Sequence, residues 1–147
     1  MKYWALTLEV PFGMGEFAEF DQDPSHWIDG VKPMSTIDLV LYTMSVPDLT
    51  TTDGIYFATP RLAQAMAHLT GLRSRAFTLS FDEQMLELGE FDDQTLPDLS
   101  CFEVVGSYGT DDFAHREGVT ELLASERAMA LLADFSLGSG TAALFRP

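Results

Sequence analysis

The most informative part of the sequence is GIYFATPRLAQAMAHL, residues 54–69. Its first five residues are typical of a short buried strand. Thr59 and Pro60 then supply a helix N-cap and a first helical residue, where proline loses no hydrogen bond. Apolar residues follow at the spacing that places them on one helix face. They are Leu62, Ala65, Met66 and Leu69. The stretch therefore predicts a strand that leads directly into an amphipathic helix, with Gly71 as its stop.

The same pattern returns 66 positions later in TELLASERAMALLADF, residues 120–135. Ser125 and Glu126 take the places of Thr59 and Pro60. The apolar face is again kept position for position, by Ala128, Leu131, Leu132 and Phe135. We predict a further strand after each helix, over residues 76–81 and 142–145. The pattern indicates an internal duplication of a strand-helix-strand unit, although two copies also arise simply because such a unit packs well.

The remaining chain predicts strands over residues 2–10, 37–46 and 101–106, and an ordered but irregular loop over residues 16–35. With 147 residues, 46% of them hydrophobic, the chain is long enough for one sizeable core and too short for two ordinary domains. We therefore expect a single α+β domain over residues 1–147. A mixed or antiparallel sheet is covered by at least two helices, which begin near Pro60 and Glu126.

Charge excludes several functions. Eight Lys and Arg stand against 23 Asp and Glu, a net charge of −15, which repels a phosphate backbone and disfavours an anionic membrane surface. The apolar stretches fall short of the roughly 20 residues that span a bilayer, and the first residues do not resemble a signal peptide. Cys101 is the only cysteine, so an internal disulfide is excluded. These features together predict a cytoplasmic protein.

The middle of the chain is strongly acidic. Residues 82–117 contain eleven acidic residues and one basic residue, with apolar residues interleaved. Such a segment must pack while it presents carboxylates, and a basic partner protein would select that arrangement. The alternative is that the charge only aids solubility. The candidate partner-binding residues are Glu90, Asp92, Asp93, Asp111 and Asp112.

Two arginines are candidate anion-binding residues. Arg61 and Arg127 each lie in the first turn of a predicted helix, where the helix dipole makes a cation slightly unfavourable. A further interaction should therefore stabilise each arginine at this position. One explanation is a salt bridge to a nearby acid, and the other is a role in binding a carboxylate or phosphate beside the helix N–H groups.

The residues that catalysis or metal binding would need are scattered. His26, His68 and His115 are single and far apart, which disfavours a metal site. The acidic surroundings of Cys101 disfavour its thiolate. Motifs for serine hydrolases, nucleotide-binding loops and zinc peptidases do not occur. We therefore predict no catalytic, cofactor-binding or metal-binding residues and a protein that is not an enzyme.

The two units also carry a resemblance. Residues 55–62, IYFATPRL, and residues 122–128, LLASERA, share a strand, a Ser or Thr, one residue, an Arg and a helix. With the opening Met-Lys-Tyr and a loop that holds Asp-Pro and Trp, this resembles a family of bacterial immunity proteins encoded beside polymorphic toxins. The first copy departs from the usual Ser-Glu-Arg with Thr-Pro-Arg. The resemblance implies a cytoplasmic, non-enzymatic protein that binds and neutralises a toxin.

Our prediction is an immunity protein that docks its acidic face on a basic toxin domain. Three alternatives stay open. A small-molecule or sensor domain would line a pocket with Phe20, Trp27 and Tyr108 and anchor an anionic group on Arg61 or Arg127. An enzyme would pair two carboxylates across a cleft, with His115 nearby. A structural protein would form a homodimer through an unpaired sheet edge, and the oligomeric state is left undecided.

Overall fold

Strands make up most of the regular structure. The computed structural model describes residues 1–27, 31–91, 94–116 and 121–147. The strands in these ranges are β1 (Tyr3–Thr7), β2 (Phe12–Met14), β3 (Glu19–Phe20), β4 (Met34–Thr36), β5 (Asp38–Leu41), β6 (Leu49–Thr52), β7 (Ile55–Ala58), β8 (Leu72–Arg75), β9 (Thr78–Phe81), β10 (Ser100–Val104), β11 (Phe113–Ala114), β12 (Leu122–Ser125) and β13 (Thr141–Leu144). The helices are α1 (Pro60–Ala65), α2 (Glu83–Glu87) and α3 (Glu126–Leu132), with 3-10 turns at Pro24–His26 and Met66–His68. The α+β class predicted from the sequence is confirmed: the chain forms a single small domain that is 17% helix and 37% strand.

Two four-stranded sheets repeat one architecture. The first sheet has the order β6-β7-β10-β8, and the second has the order β11-β12-β1-β13. In each sheet a strand pair leads into a helix, α1 or α3, and the strand after that helix forms the opposite edge. The third position is filled from different parts of the chain, by β10 in the first sheet and by β1 in the second. The neighbouring strands in both sheets are antiparallel.

The two sheets also share their register. Tyr56 in β7 lies opposite Phe102 in β10, and Leu122 in β12 lies opposite Leu6 in β1. Since Tyr56 and Leu122 are 66 positions apart, these pairs hold equivalent places in the two units. The preceding strand pairs match in the same way, with Leu49 opposite Ala58 and Phe113 opposite Ala124. The duplicated pattern in the sequence therefore corresponds to a repeated structure.

The larger core lies between the two units. The helix-face residues Leu62 and Met66 of the first unit pack in one buried cluster with Ala128 and Leu132 of the second. Leu69, Leu131 and Phe135 are partly buried against the same cluster. The helical faces predicted from the 3.6-residue period are confirmed except at Ala65, because Ala63 packs against the cluster instead. Each unit buries its apolar face against the other.

A second core lies beneath a smaller sheet. Strands β2, β5 and β9 form this sheet, in which β5 and β9 run parallel. Its buried residues include Leu39, Leu41 and Phe57, and Phe91 joins them from the segment after α2. Strands β2 to β5 come from the chain between β1 and the first unit, whereas β9 follows that unit. The strand predicted over residues 76–81 as part of the first unit therefore joins this sheet instead, and β8 completes the unit.

Several local predictions are wrong. Residues 16–35 contain β3, the turn at Pro24–His26 and part of β4, where we expected only irregular loop. The predicted turn around Arg73 lies inside β8. Strands β2, β6 and β11 and helix α2 were not predicted. Each has five residues or fewer, which is too short for a hydrophobic period to show.

Candidate functional site

Arg61 belongs to a network around Asp48. The Arg61 Nη2 atom is 3.2 Å from Asp48 Oδ2, and the Phe135 ring lies 4.2 Å beneath the guanidinium. Thr59 Oγ1 donates to Asp48 Oδ1 at 2.6 Å, and the Ser136 N–H donates to Asp48 Oδ2 at 2.8 Å. Thr59 is the N-cap residue of α1 and Pro60 its first helical residue, as predicted, but the Thr59 hydroxyl makes no capping bond. Burial acts to raise the pKa of Asp48, but these hydrogen bonds and the charge of Arg61 lower it below its ordinary value.

Arg127 belongs to the matching network around Asp112. The Arg127 Nη2 atom is 2.6 Å from Asp112 Oδ2, and the Thr70 N–H donates to the same oxygen at 2.9 Å. Ser125 Oγ donates to Asp112 Oδ1 at 2.7 Å and accepts from the Ala128 N–H at 3.1 Å, which confirms the predicted N-cap of α3. Burial acts to raise the pKa of Asp112, but the bonds from Arg127, Thr70 and Ser125 hold it well below its ordinary value.

These Asp48 and Asp112 networks tie the two units together. Each aspartate binds a hydroxyl and an arginine of its own unit, and it also accepts from the N–H that follows the helix of the other unit. Those N–H groups belong to Thr70 and Ser136, which are 66 positions apart. Of the two explanations offered for the arginines, a salt bridge or an anion-binding role, the structure shows the salt bridge for both. Because each guanidinium already has a carboxylate, we leave Arg61 and Arg127 out of the candidate site.

The predicted acidic residues that the structure describes differ in their exposure. Glu90 is exposed, whereas Asp111 is half-buried in a turn, where its carboxylate accepts from the Ser107 N–H at 2.7 Å. Asp112 is buried at 7% exposure, so its predicted contact with a partner is wrong: Arg127 and the chain's own donors occupy that carboxylate. Two further predicted residues, Asp92 and Asp93, lie outside the described residues.

Glu90 belongs to a stretch that we call the acidic segment, the described part of residues 82–98. Asp82 caps α2 by accepting from the Met85 N–H at 3.1 Å. Met85 packs against the second core, and Phe91 stacks on Phe81 with ring centroids 4.3 Å apart. These contacts fix α2 and the turn after it on the protein, so the segment presents its outer side chains from an ordered backbone.

The outer side of the acidic segment combines carboxylates with leucines. Leu88 is 72% exposed, which is unusual for leucine, and Leu86 and Leu96 are 48% and 40% exposed. The exposed acids of the segment are Glu83, Glu87, Glu90 and Asp98. Within the described residues, no Lys, Arg or His lies within ion-pair distance of these four acids.

Half of the basic residues of the chain form salt bridges with carboxylates outside the acidic segment. Arg73 and Arg75 both pair with Glu103 on β10, as Arg61 and Arg127 pair with the two network aspartates. Four of the eight basic residues therefore neutralise carboxylates that are buried or half-buried. The negative charge that remains is concentrated on exposed acids, including those of the acidic segment.

A cavity of about 200 Å³ lies on the first sheet, near the hairpin between β6 and β7. Its polar lining includes Arg75, Glu103 and His115, and its apolar lining includes Ile55 and Val104. Burial lowers the pKa of His115, whose Nε2 atom lies 2.8 Å from the Tyr56 hydroxyl oxygen. This cavity has an arginine in its wall, but it is Arg75 rather than the predicted Arg61 or Arg127. The predicted pocket residues Phe20, Trp27 and Tyr108 do not line it.

The other candidate chemistries find little support in the described residues. Burial raises the pKa of Cys101 to about 12, so its thiol stays protonated and is a poor nucleophile at neutral pH. Groups of three or more His, Cys, Asp and Glu able to hold a metal ion are not found among the residues that the structure describes.

Comparisons with protein-family profiles, curated proteins and solved structures find no match to this chain. Within the described ranges, the structure contains no helix with the length and hydropathy needed to cross a bilayer.

The sequence did not reveal that Leu86 and Leu88 are exposed. Leu86 and Leu88 flank Glu87 in a short acidic stretch, and their exposure depends on which side of α2 packs on the second core. Met85 takes the inward position. The only sign in the sequence was that these leucines lie close to three glutamates. That sign does not show whether a leucine is packed or exposed.

Proposed function

We propose that this chain is a toxin-neutralising immunity protein, which acts in the cytoplasm and binds a basic protein through the acidic segment. The observation that carries the proposal is the combination of exposed leucines with carboxylates that lack a cationic partner in the described residues. Apolar area supplies affinity when it is buried, and a negative potential speeds the approach of a cationic partner and rejects acidic ones.

The ordered backbone of the segment supports this role. An interface that is already folded loses less conformational entropy on binding than a flexible one. Asp82 caps α2, and Phe91 anchors the turn that carries Glu90. The partner would need Lys or Arg side chains around an apolar patch that accepts Leu86 and Leu88. Binding over the active site or substrate groove of a toxin would neutralise it without any chemistry by this chain.

The test is a calorimetric titration with the product of the neighbouring gene, which the proposal requires to be a toxin domain. The triple variant Glu83→Lys/Glu87→Lys/Glu90→Lys should weaken binding about 100-fold, roughly 2.7 kcal/mol, because it replaces attraction by repulsion. Affinity of the unaltered protein should also fall as salt is added.

The matched control changes the same amount of charge elsewhere. Glu16, Glu19 and Asp134 are exposed acids outside the acidic segment, and reversing all three to Lys should change the affinity less than about threefold. Equal losses for the two triple variants would show that only net charge matters. Wild-type affinity in the Glu83, Glu87 and Glu90 variant would overturn the proposed site.

A further inference from the structure

The repeated architecture gives the two sheets equivalent edge strands, β8 and β13. Arg75 lies opposite Cys101 in the first sheet, and Ala143 lies opposite Ala5 in the second. The register makes these positions equivalent, so Ser74 in β8 corresponds to Ala142 in β13. The two strands can therefore be compared residue by residue as exposed edges.

The edge strand β8 is protected. Its Arg73 and Arg75 pair with Glu103, and Arg75 Nη2 also donates to the backbone oxygens of Met34 and Ser35 at 3.3 and 3.2 Å. Charged side chains and a covering segment are the usual means by which proteins prevent an edge strand from pairing with another chain.

Among the residues that the structure describes, the edge strand β13 has no charged side chain of its own and no segment bonded across its open edge. Its sequence is Thr-Ala-Ala-Leu, and all four residues are exposed. The Phe145 N–H donates to the Tyr3 oxygen at 2.8 Å, which fixes the alternation of the β1–β13 ladder. The N–H and C=O groups of Ala142 and Leu144 therefore point away from β1, toward the open edge. Within the described residues, β1 is the only strand that pairs with β13.

We propose that β13 pairs with β13 of a second copy of this chain, antiparallel and around a two-fold axis at Ala143. Opposite residues of an antiparallel pair point their N–H and C=O groups either both toward each other or both away. With the axis at Ala143, Ala142 of one copy forms a hydrogen-bonded pair with Leu144 of the other, and the two Ala143 residues form a pair without hydrogen bonds. The two four-stranded sheets then form one continuous eight-stranded sheet. Leu144, which lies opposite Trp4, extends an apolar row across the junction.

Charge complementarity supports a second copy of this chain as the partner at the open edge of β13. In this register Arg146 stands opposite Gly140 of the other copy, next to Ser139, whose hydroxyl donates to Glu9 at 2.9 Å. Arg146 is exposed, and Glu9 also lies beside Gly138. Two reciprocal Arg146–Glu9 pairs thus flank the paired strands. The match arises from the chain's own residues on both sides, as a two-fold interface requires.

The interface is small, so the dimer is weak. Four residues from each copy bury less than the roughly 1,200 Å² of stable interfaces, and we expect a Kd on the order of 100 µM. Sedimentation velocity in about 0.15 M salt, which limits repulsion between the acidic copies, should show the mass rising from 16.3 kDa toward twice that value. The protein concentration should run from about 10 µM to about 1 mM, on both sides of the expected Kd.

Two variants at equivalent edge positions form the matched pair. Ala142→Lys should abolish self-association, whereas Ser74→Lys in β8 should leave it unchanged, and both should keep the wild-type unfolding midpoint. Arg146→Glu should weaken the dimer at least fivefold, and the double variant Arg146→Glu/Glu9→Arg should restore it. Amide exchange at Ala142 and Leu144 should slow as concentration rises.

Several outcomes would overturn the dimer. One is a wild-type protein that stays at 16.3 kDa at the highest concentration. Another is an equal loss of self-association in the Ser74 and Ala142 variants. A monomeric protein whose Ala142→Lys variant loses affinity for a toxin domain would assign the β13 edge to that partner instead. Because this surface is separate from the acidic segment, either proposal can fail while the other holds.

Discussion

The two sheets of this protein have the same strand order and register, yet they differ in the side chains at their equivalent edges. The first sheet carries Arg73 and Arg75 where the second carries Thr141 and Ala143. The aspartate networks, by contrast, appear in both units with the same connections. The shared architecture therefore depends on the aspartate networks and on the core between the units. The side chains of the edge strands differ without changing it.

The largest expected difference between the units is the cost of removing their aspartates. Asp112→Ala should lower the free energy of unfolding by about 3 kcal/mol, and Asp48→Ala by about 2 kcal/mol, because several donors lose the charged acceptor that they share. The side chain of Asp112 is 9% exposed against 15% for Asp48, so water compensates less at Asp112. Urea unfolding of both variants measures the two values. A larger loss for Asp48→Ala would contradict this ranking.

The hydroxyls of the two networks should show a smaller difference. Ser125 both donates to Asp112 and caps α3, whereas Thr59 only donates to Asp48. We therefore expect Ser125→Ala to cost about 2 kcal/mol and Thr59→Ala about 1 kcal/mol. Ser74→Ala, on the exposed part of β8, serves as the control and should stay within about 0.5 kcal/mol of the wild type. Equal costs at Ser125 and Thr59 would mean that the cap contributes nothing.

The smallest expected difference is in acid sensitivity. Both network aspartates have a lowered pKa in the folded state, so their stabilisation is present above the ordinary value of 3.8 and is lost as the pH falls through the folded pKa. Stability of the wild type should fall by about 1 kcal/mol more between about pH 5 and pH 3 than that of Asp112→Asn. Unfolding curves across this range test it, and Asp48→Asn should flatten the profile less. An unchanged slope in Asp112→Asn would refute this assignment.

The parts of the fold that depend on local pattern were predictable from the sequence. The periods of residues 54–69 and 120–135 located both strand-helix units and the residues that pack between them. The edge strands β6 and β11 were not predicted, because their place in the sheet depends on pairing with β7 and β12 rather than on their own residues.

The candidate site was predicted less well than the fold. Charge density located the acidic region, but burial separated Asp112 from Glu90, and burial depends on contacts between distant parts of the chain. The same limit applied to Arg127, whose salt-bridge partner was one of 23 acids. A sequence states which charges exist, whereas the packing decides which of them neutralise one another.

The third strand of the first sheet is β10 and that of the second is β1, so the two sheets can form at different times during synthesis on the ribosome. All strands of the first sheet lie within residues 49–104, so that sheet can close while the chain is still emerging. The second sheet must wait, because Trp4 in β1 pairs with Leu144, 140 positions later. Strand β1 therefore precedes both four-stranded sheets in the chain but is among the last strands to pair. We expect the first sheet to form early and the capture of β1 to set the overall rate of folding.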